Sequence, residues 1–371
     1  MSSNGSTLDS PAQLGQHFAV SCLDIVPLGR KFRKKGKVLV TGSRTSTLSA
    51  IAGQAGVSVS AVSKVLNGGT DVAADTRARI ARLLRQHGYQ VASQTGFGVV
   101  DLLIGGLHSP WAEELIRGAV EAAASADVSV IVTTVTSPDA FARWLDRAAR
   151  RGSAGALCVL HWPSSRELQR LAAARIPLVV IDPPEEPGPG IRSVGTTNWQ
   201  GGLQATRHLV DLGHRRIGVI GSEAVWSGRA RLAGYRAAML EAGLVVDERM
   251  VRRDDLTATG GRAQAVALLA LPDAPTAIVA GNDGQAFGVL QALAEAGLRA
   301  PHDVSVIGFD DVPVASWATP ALTTIRQPIA AMAAAAFQML RAAEPAVAQE
   351  PHYVELATAL VIRDSTGPPP R

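Results

Sequence analysis

The sequence predicts a small all-α helix-turn-helix domain followed by an α/β, two-lobed, doubly wound body. Three observations predict it. Residues 47–67 alternate apolar and polar positions at helical spacing on either side of Gly56. From Val99 onward, short apolar runs alternate with Ala-rich segments of helical length. The charge divides at the same boundary: residues 1–97 carry twelve Lys and Arg against four Asp, and residues 98–371 carry twenty-four basic against twenty-eight acidic residues. A basic front on a mildly acidic body points to a front that meets a polyanion. At 371 residues, two or three domains are expected.

Residues 1–46 are rich in Gly, Ser and basic residues, hold four of the five lysines and show no sustained period, which predicts a disordered basic tail. So sharp a break also fits a start of translation nearer Val38 or Val40. In the head, 47–90, the first helix sets Leu48, Ile51 and Ala52 on one face, and Gly56 supplies the turn. Ser58 is placed to cap a second helix that buries Val62, Val65 and Leu66 and presents Val59, Ser60, Ser63 and Lys64 outward. A third helix is expected from Asp75, as its cap, to about His87, with Ile80, Leu83 and Leu84 inward. Such a one-sided second helix is the shape that enters a DNA major groove.

In the body, apolar runs at 99–104, 128–133, 156–160, 178–181, 216–220, 277–280 and 304–308 read as buried parallel strands, and the segments between them as helices. Seven strands over this length suit two lobes, with Asn198 opening the second. A strand at 322–327, an Ala-rich helix at 328–343 and a returning strand at 353–363 close the chain. The expected boundaries are a short linker at 91–97 and a body at 98–366. Lobe 1 comprises about 98–196 plus 323–345, and lobe 2 about 197–322 plus 351–366. Hinge-linked lobes commonly close on a small ligand.

Ligands of such sheets bind beyond the carboxyl ends of the strands. His161, Asp182, Asn282 and Asp310 sit at those ends, and Ser109 and Trp111 follow the first strand. Aromatic faces with carboxylates and amides suit a polyol. Strand-end Asp283 and Asp311 are equally placed to cap the next helix, and Trp199 and Trp226 are read as packing residues. Cys22 and Cys158 make neither a disulfide framework nor a metal site, and no cofactor is expected. No spanning segment or secretory leader is apparent, so a cytoplasmic protein without a membrane partner is expected.

The chain resembles the LacI/GalR family of transcriptional regulators from residue 47 onward. The head carries Thr47-Leu48, Ile51-Ala52, Ala55-Gly56-Val57-Ser58, Val62-Ser63-Lys64-Val65-Leu66-Asn67, Thr76-Arg77 and Gly88-Tyr89. The body carries Thr197-Asn198, His208-Leu209, Leu212-Gly213-His214-Arg215, Arg229-Ala-Arg231, Asn282-Asp283, Val306-Ile-Gly-Phe-Asp310-Asp311 and Leu322-Thr-Thr-Ile-Arg-Gln327. The resemblance implies a homodimer, or a higher assembly, on a pseudo-palindromic double-stranded operator. It also implies a periplasmic-binding-protein-like core that takes a small effector, usually a mono- or oligosaccharide. By position, Val59, Ser60 and Lys64 face base edges, while Thr47, Ser63, Asn67 and Thr76 match phosphate-bonding positions. Leu48, Ser58 and Ala61 complete the DNA-facing set. Arg231, Asn282 and Asp310 match sugar-contacting positions. Lys64 stands where arginine is commoner, and lysine is a flexible point charge rather than a two-pronged donor.

One departure stands out. Relatives carry a Pro-Asn-x-x-Ala-Arg-x-Leu-like hinge after Gly-Tyr, which wedges a leucine into the minor groove. Here Gln90-Val-Ala-Ser-Gln-Thr-Gly96-Phe97 has no Pro-Asn, Arg or Leu. An enzyme is disfavoured by motif: Gly96-Phe-Gly98 lacks the third glycine of a dinucleotide loop because position 101 is Asp, and neither a phosphate loop nor a Gly-x-Ser-x-Gly elbow occurs. The expected function is a sugar-controlled repressor of carbohydrate-utilisation genes. The alternatives are a sugar-binding protein without a transcriptional role, and a regulator answering a non-sugar ligand.

Overall fold

The computed structural model describes residues 48–66, 71–87, 89, 98–187, 190–342 and 352–370. The tail 1–46, Thr47, Asn67, Gly88 and the linker 91–97 lie outside the described residues.

Three helices form the head: α1 (Leu48–Ala55), α2 (Val59–Leu66) and α3 (Ala74–Gln86). Ile51, Ala52, Ala55, Val62, Val65, Ile80 and Leu84 fill its core, as the helical spacing requires. Gly56 makes the turn at φ 64°, a left-handed conformation that a side chain disfavours. The Ser58 hydroxyl accepts from the Ala61 backbone N–H at 3.2 Å and so caps α2. Asp75 differs from expectation. It lies inside the first turn of α3, where its charge favours the positive end of the helix, and it is not the cap.

The body contains two six-stranded sheets. In chain order, lobe 1 holds β1 (Val99–Ile104), α4 (Pro110–Ala124), β2 (Ser129–Thr134), α5 (Pro138–Arg151), β3 (Gly155–Val159), α6 (Ser165–Ala173), β4 (Leu178–Ile181) and β5 (Arg192–Thr196). Lobe 2 continues with α7 (Asn198–Asp211), β6 (Ile217–Gly221), α8 (Trp226–Glu241), β7 (Val251–Arg253), α9 (Ala258–Leu269), β8 (Ala277–Ala280), α10 (Asp283–Glu295), β9 (Ser305–Asp310) and β10 (Thr323–Arg326). The chain then returns through α11 (Ile329–Arg341), β11 (His352–Leu356) and β12 (Ala359–Val361). The sheet orders are β11-β5-β4-β3-β1-β2 and β12-β10-β9-β8-β6-β7, parallel except where β12 meets β10. Strands covered on both faces need continuous apolar runs, and β3, β4 and β8 are buried at every position.

The C-terminal elements are divided between the lobes differently from the sequence expectation. The strand at 323–326 pairs with β9 and belongs to lobe 2, not lobe 1. Strand β11 pairs with β5 and belongs to lobe 1, not lobe 2, and only β12 returns to lobe 2. Apolar pattern marks a strand but does not name its neighbour. Helix α11 does pack on lobe 1, where Met332, Ala333, Ala336, Phe337 and Leu340 meet α4 and its sheet. The chain therefore crosses between lobes after β5, after β10 and after β11. The crossings are tied together: the Thr358 N–H donates to Thr197 Oγ1 at 2.9 Å, and Thr197 N–H to the Leu356 carbonyl at 3.0 Å. Trp226 spans the lobes as a packing residue. Its ring meets Tyr353 edge-on at 5.7 Å and its backbone N–H donates to the Pro184 carbonyl at 2.8 Å. Trp199 is 40% exposed and does not fill a core.

Candidate functional site

The head presents one outward face. Val59, Ser60 and Lys64 are exposed on α2, with Ser58 exposed at its cap. Ala61, Ser63 and Thr76 are half-buried, and Leu48 packs at the edge of the core. Lys64 does not project freely: its ammonium pairs with the carboxylate of Asp71, a residue to which sequence pattern gave no role. That hydrogen bond holds Asp71 below the ordinary carboxylate value.

The body separates the seven effector candidates into two groups and a cap. The first group surrounds a cavity of about 740 Å³ at the carboxyl ends of β1, β2 and β3. Trp111 supplies its aromatic wall, His108, Ser109, Thr136 and His161 supply polar atoms, and Thr257 closes it from lobe 2. Part of this chemistry is already engaged. The Ser109 hydroxyl caps α4 by accepting from the Ala112 N–H at 3.2 Å. Thr257, missed in the sequence, likewise caps α9 through the Gly260 N–H at 3.1 Å. His161 differs: its Nε2 is buried with no hydrogen-bond partner, 3.7 Å from a Glu167 oxygen that is committed to the Ser164 capping box.

Arg231, Asp310 and Asp182 form the second group, near the crossings. Arg231 extends from α8 across the Phe309 ring, 3.6 Å from guanidinium carbon to ring centre. Its Nε donates to Asn198 Oδ1 at 2.9 Å and its Nη1 to the Gly281 carbonyl at 2.6 Å. Asp310 Oδ1 lies 3.9 Å from Arg231 and accepts from Gln327 Nε2 at 2.5 Å. The other end of that amide accepts from Thr196 Oγ1 at 2.9 Å, so one glutamine joins lobe 1 to lobe 2. Asp182, at the end of β4 in lobe 1, is buried and its Oδ1 has no hydrogen-bond partner.

Burial dominates the electrostatics of this group. It raises Asp182, against the pull of Arg231. It lifts Asp310 to about 7, against Arg231 and the Gln327 hydrogen bond. It lowers Arg231, although Asp310, Asp182 and Asp283 all favour its charge. Desolvation thus exceeds the pair attraction on both partners, as expected for ions largely removed from water. A hydroxylated ligand reaching this group would meet a fixed donor in Arg231 and an unsatisfied acceptor in Asp182 Oδ1.

Asn282 has a structural role. Its Oδ1 caps α10 by accepting from Gln285 N–H at 2.8 Å, and its Nδ2 donates to the Leu256 carbonyl at 3.0 Å. Asp283 is not a cap. It is fully buried and accepts from Thr324 Oγ1 and the Val312 N–H. Asp311 pairs with Arg326 and Arg363. Asn198, Gln327 and Phe309 contact the candidate residues Arg231 and Asp310, a role that pattern reading left unassigned, although all three stand within the resemblance motifs. Leu160, Asp182, Asp310 and Asp311 all adopt positive φ at or just beyond the carboxyl ends of strands. Such strain costs about 1–3 kcal/mol each and concentrates at ligand sites.

Residues 47–91 match the family model for bacterial regulatory proteins of the lacI family, and residues 206–366 match a periplasmic binding protein-like domain. The chain is 32% identical to the ribose operon repressor of Escherichia coli over 335 residues, 86% of this chain and 99% of that protein. Among solved structures it is similar to the transcriptional regulator CelR–cellobiose complex, with TM-score 0.65, 29% identity, and coverage of 86% and 99% of the two chains. It is also similar to the lac repressor dimer bound to operator and the anti-inducer ONPF, with TM-score 0.66, 25% identity, and coverage of 87% and 99%. A helix-turn-helix head, two doubly wound lobes and full-length similarity to such a repressor agree: the chain belongs to the lacI family of bacterial regulatory proteins.

Proposed function

We propose that the chain is a homodimeric, operator-binding repressor of carbohydrate-utilisation genes whose grip on DNA is set by a small saccharide in the cleft. The observation that carries this reading is one cavity of about 740 Å³ whose lining comes from both lobes, in the same chain as a Ser58-capped reading helix. The lining is apolar, hydroxyl-bearing and histidine-bearing, with Trp111 as a stacking face, which suits an uncharged polyol. Lobe 2 adds the Arg231–Asp310 group, a donor and acceptors for ring hydroxyls. The similarity to a cellobiose-bound regulator and to the ribose operon repressor supports the same class of ligand. Among the described residues no helix is long and apolar enough to cross a membrane, and an operator-binding protein acts in the cytoplasm.

A thermal-shift screen of mono- and oligosaccharides on the full chain tests this. The native effector at 100 times its Kd should stabilise the fold by about 2.7 kcal/mol. If no saccharide shifts the melt while a nucleobase or amino acid does, the effector is not a sugar. The linker supports a second element of the proposal. Without Pro-Asn, Arg or Leu at 90–97, the operator keeps no central leucine wedge, and lobe closure sets the separation of the two heads directly. An operator duplex with a fluorescent pair at its ends should stay unbent in the complex. A sharp bend contradicts the proposal.

A further inference from the structure

We propose that Asp71 is a specificity-determining residue that reads one G·C base pair together with Lys64: Lys64 Nζ donates to guanine O6 or N7 while the Asp71 carboxylate accepts from the cytosine N4 amino group. The inference rests on the reading above that α2 enters the major groove.

Lys64 lies on the outward face of α2 and Asp71 lies between α2 and α3, and the structure pairs their charged ends. Their side chains are 50% and 58% exposed, so both remain accessible to a ligand while they touch. Asp71 is not on a loose segment. Its neighbour Val72 packs on the head core, and Arg77 Nη2 donates to the Val72 carbonyl at 2.6 Å, which anchors the stretch to α3. Lys64 and Arg77 both favour the ionised form of Asp71, so at neutral pH it acts only as an acceptor.

An acid on a DNA-facing surface is costly unless it meets a donor, because every phosphate repels it. In the major groove, donors are the amino groups of cytosine and adenine. Only the G·C pair sets such a donor beside the two guanine acceptors that a lysine prefers. An ammonium and a carboxylate in contact are complementary to that edge. The same carboxylate draws Lys64 away from phosphates, which would otherwise bind it without regard to sequence. An exposed ion pair is weak, so opening it slightly to admit a base pair costs little. Lys64 alone would be a flexible point charge. Asp71 gives it direction.

The test is selection from a random duplex pool by the full chain, as wild type and as Asp71→Ala, Asp71→Asn and Lys64→Ala. Asp71 is exposed, so the variants retain the head core. Wild type should enrich half-sites with G·C at one fixed position. Both Asp71 variants should keep the rest of the half-site and lose that preference by about tenfold, with Lys64→Ala losing it at the same position. Affinity of Asp71→Ala for random duplex should rise, and its salt slope should steepen by about one per head as Lys64 moves to phosphate. Unchanged base preference and salt slope in the Asp71 variants overturn the pairing and leave a solvent ion pair. Loss of preference at different positions for Lys64 and Asp71 also overturns it. Failure of wild type to enrich any sequence overturns the DNA-reading assignment itself.

Discussion

Arg231 shows how firmly one candidate effector residue is built into the body. The family resemblance implies a sugar-contacting position for it. The structure adds that it is buried over Phe309 and bonded to Asn198 and Gly281. Arg231→Ala should abolish the effector response while operator binding persists. It should also destabilise the body by about 1–3 kcal/mol, because two buried acceptors lose their donor. Operator binding with and without effector, together with chemical denaturation, reads both effects, and a full effector response in the variant would remove Arg231 from the site. Asp310 gives a pH signature. Its folded value, about 7, lies above the ordinary carboxylate range, so over that interval the folded state holds a proton that the unfolded chain has released. The associated stability is complete below the ordinary carboxylate value and is lost as pH rises towards and through about 7. Asp310→Asn imitates the protonated side chain. Relative to wild type, its melting midpoint should therefore be higher at pH 8 than at pH 5. Parallel pH profiles for the two proteins would contradict the assignment.

At the scale of elements, legibility followed burial. Runs such as Leu178-Val-Val-Ile181 announce a covered strand, and the helices between runs begin at Ser109, Ser137 and Ser164, each a hydroxyl cap. Strand β5, Arg192-Ser-Val-Gly-Thr196, was not legible: it is buried at four of five positions, yet Ser193, Gly195 and Thr196 break the apolar run. Strand β7 is three residues at a sheet edge, too short to carry a period. The pairing of α7 with α8 was equally hidden, because it depends on glycines that let backbones touch. A Cβ at Gly234 would stand 2.1 Å from the Trp199 carbonyl oxygen, whereas one at Gly243 meets nothing within 4 Å and suffers only the left-handed φ of 68°. Gly234→Ala should accordingly cost the ~1–3 kcal/mol of a core clash or more, and Gly243→Ala only about 1–2 kcal/mol of backbone strain. Urea unfolding of both variants decides the order. Equal losses would mean that the α7–α8 contact is not close-packed.

Across the whole molecule, both the sequence and the structure place a DNA-reading head at one end and a two-lobed ligand cleft in the body. The polar residues at strand ends are legible as candidates in sequence because sheet topology dictates where ligands of such folds bind. Their grouping is not, since the 740 Å³ cavity brings together separate stretches at 104–112, 135–138 and 159–161 with Thr257, and the Thr196–Gln327–Asp310 relay joins residues of both lobes. That relay and the three crossings give the lobes a shared mechanical element, which an effector can bias only by binding one arrangement better than the other. A coupling of about 1–3 kcal/mol corresponds to roughly 5–150-fold in operator affinity. The decisive measurement is fluorescence anisotropy of the full chain on its selected duplex, at fixed salt, with and without the saccharide that shifts its melt. The operator Kd should change by about 5–150-fold. An operator Kd unchanged by a sugar that demonstrably binds the body would contradict that coupling.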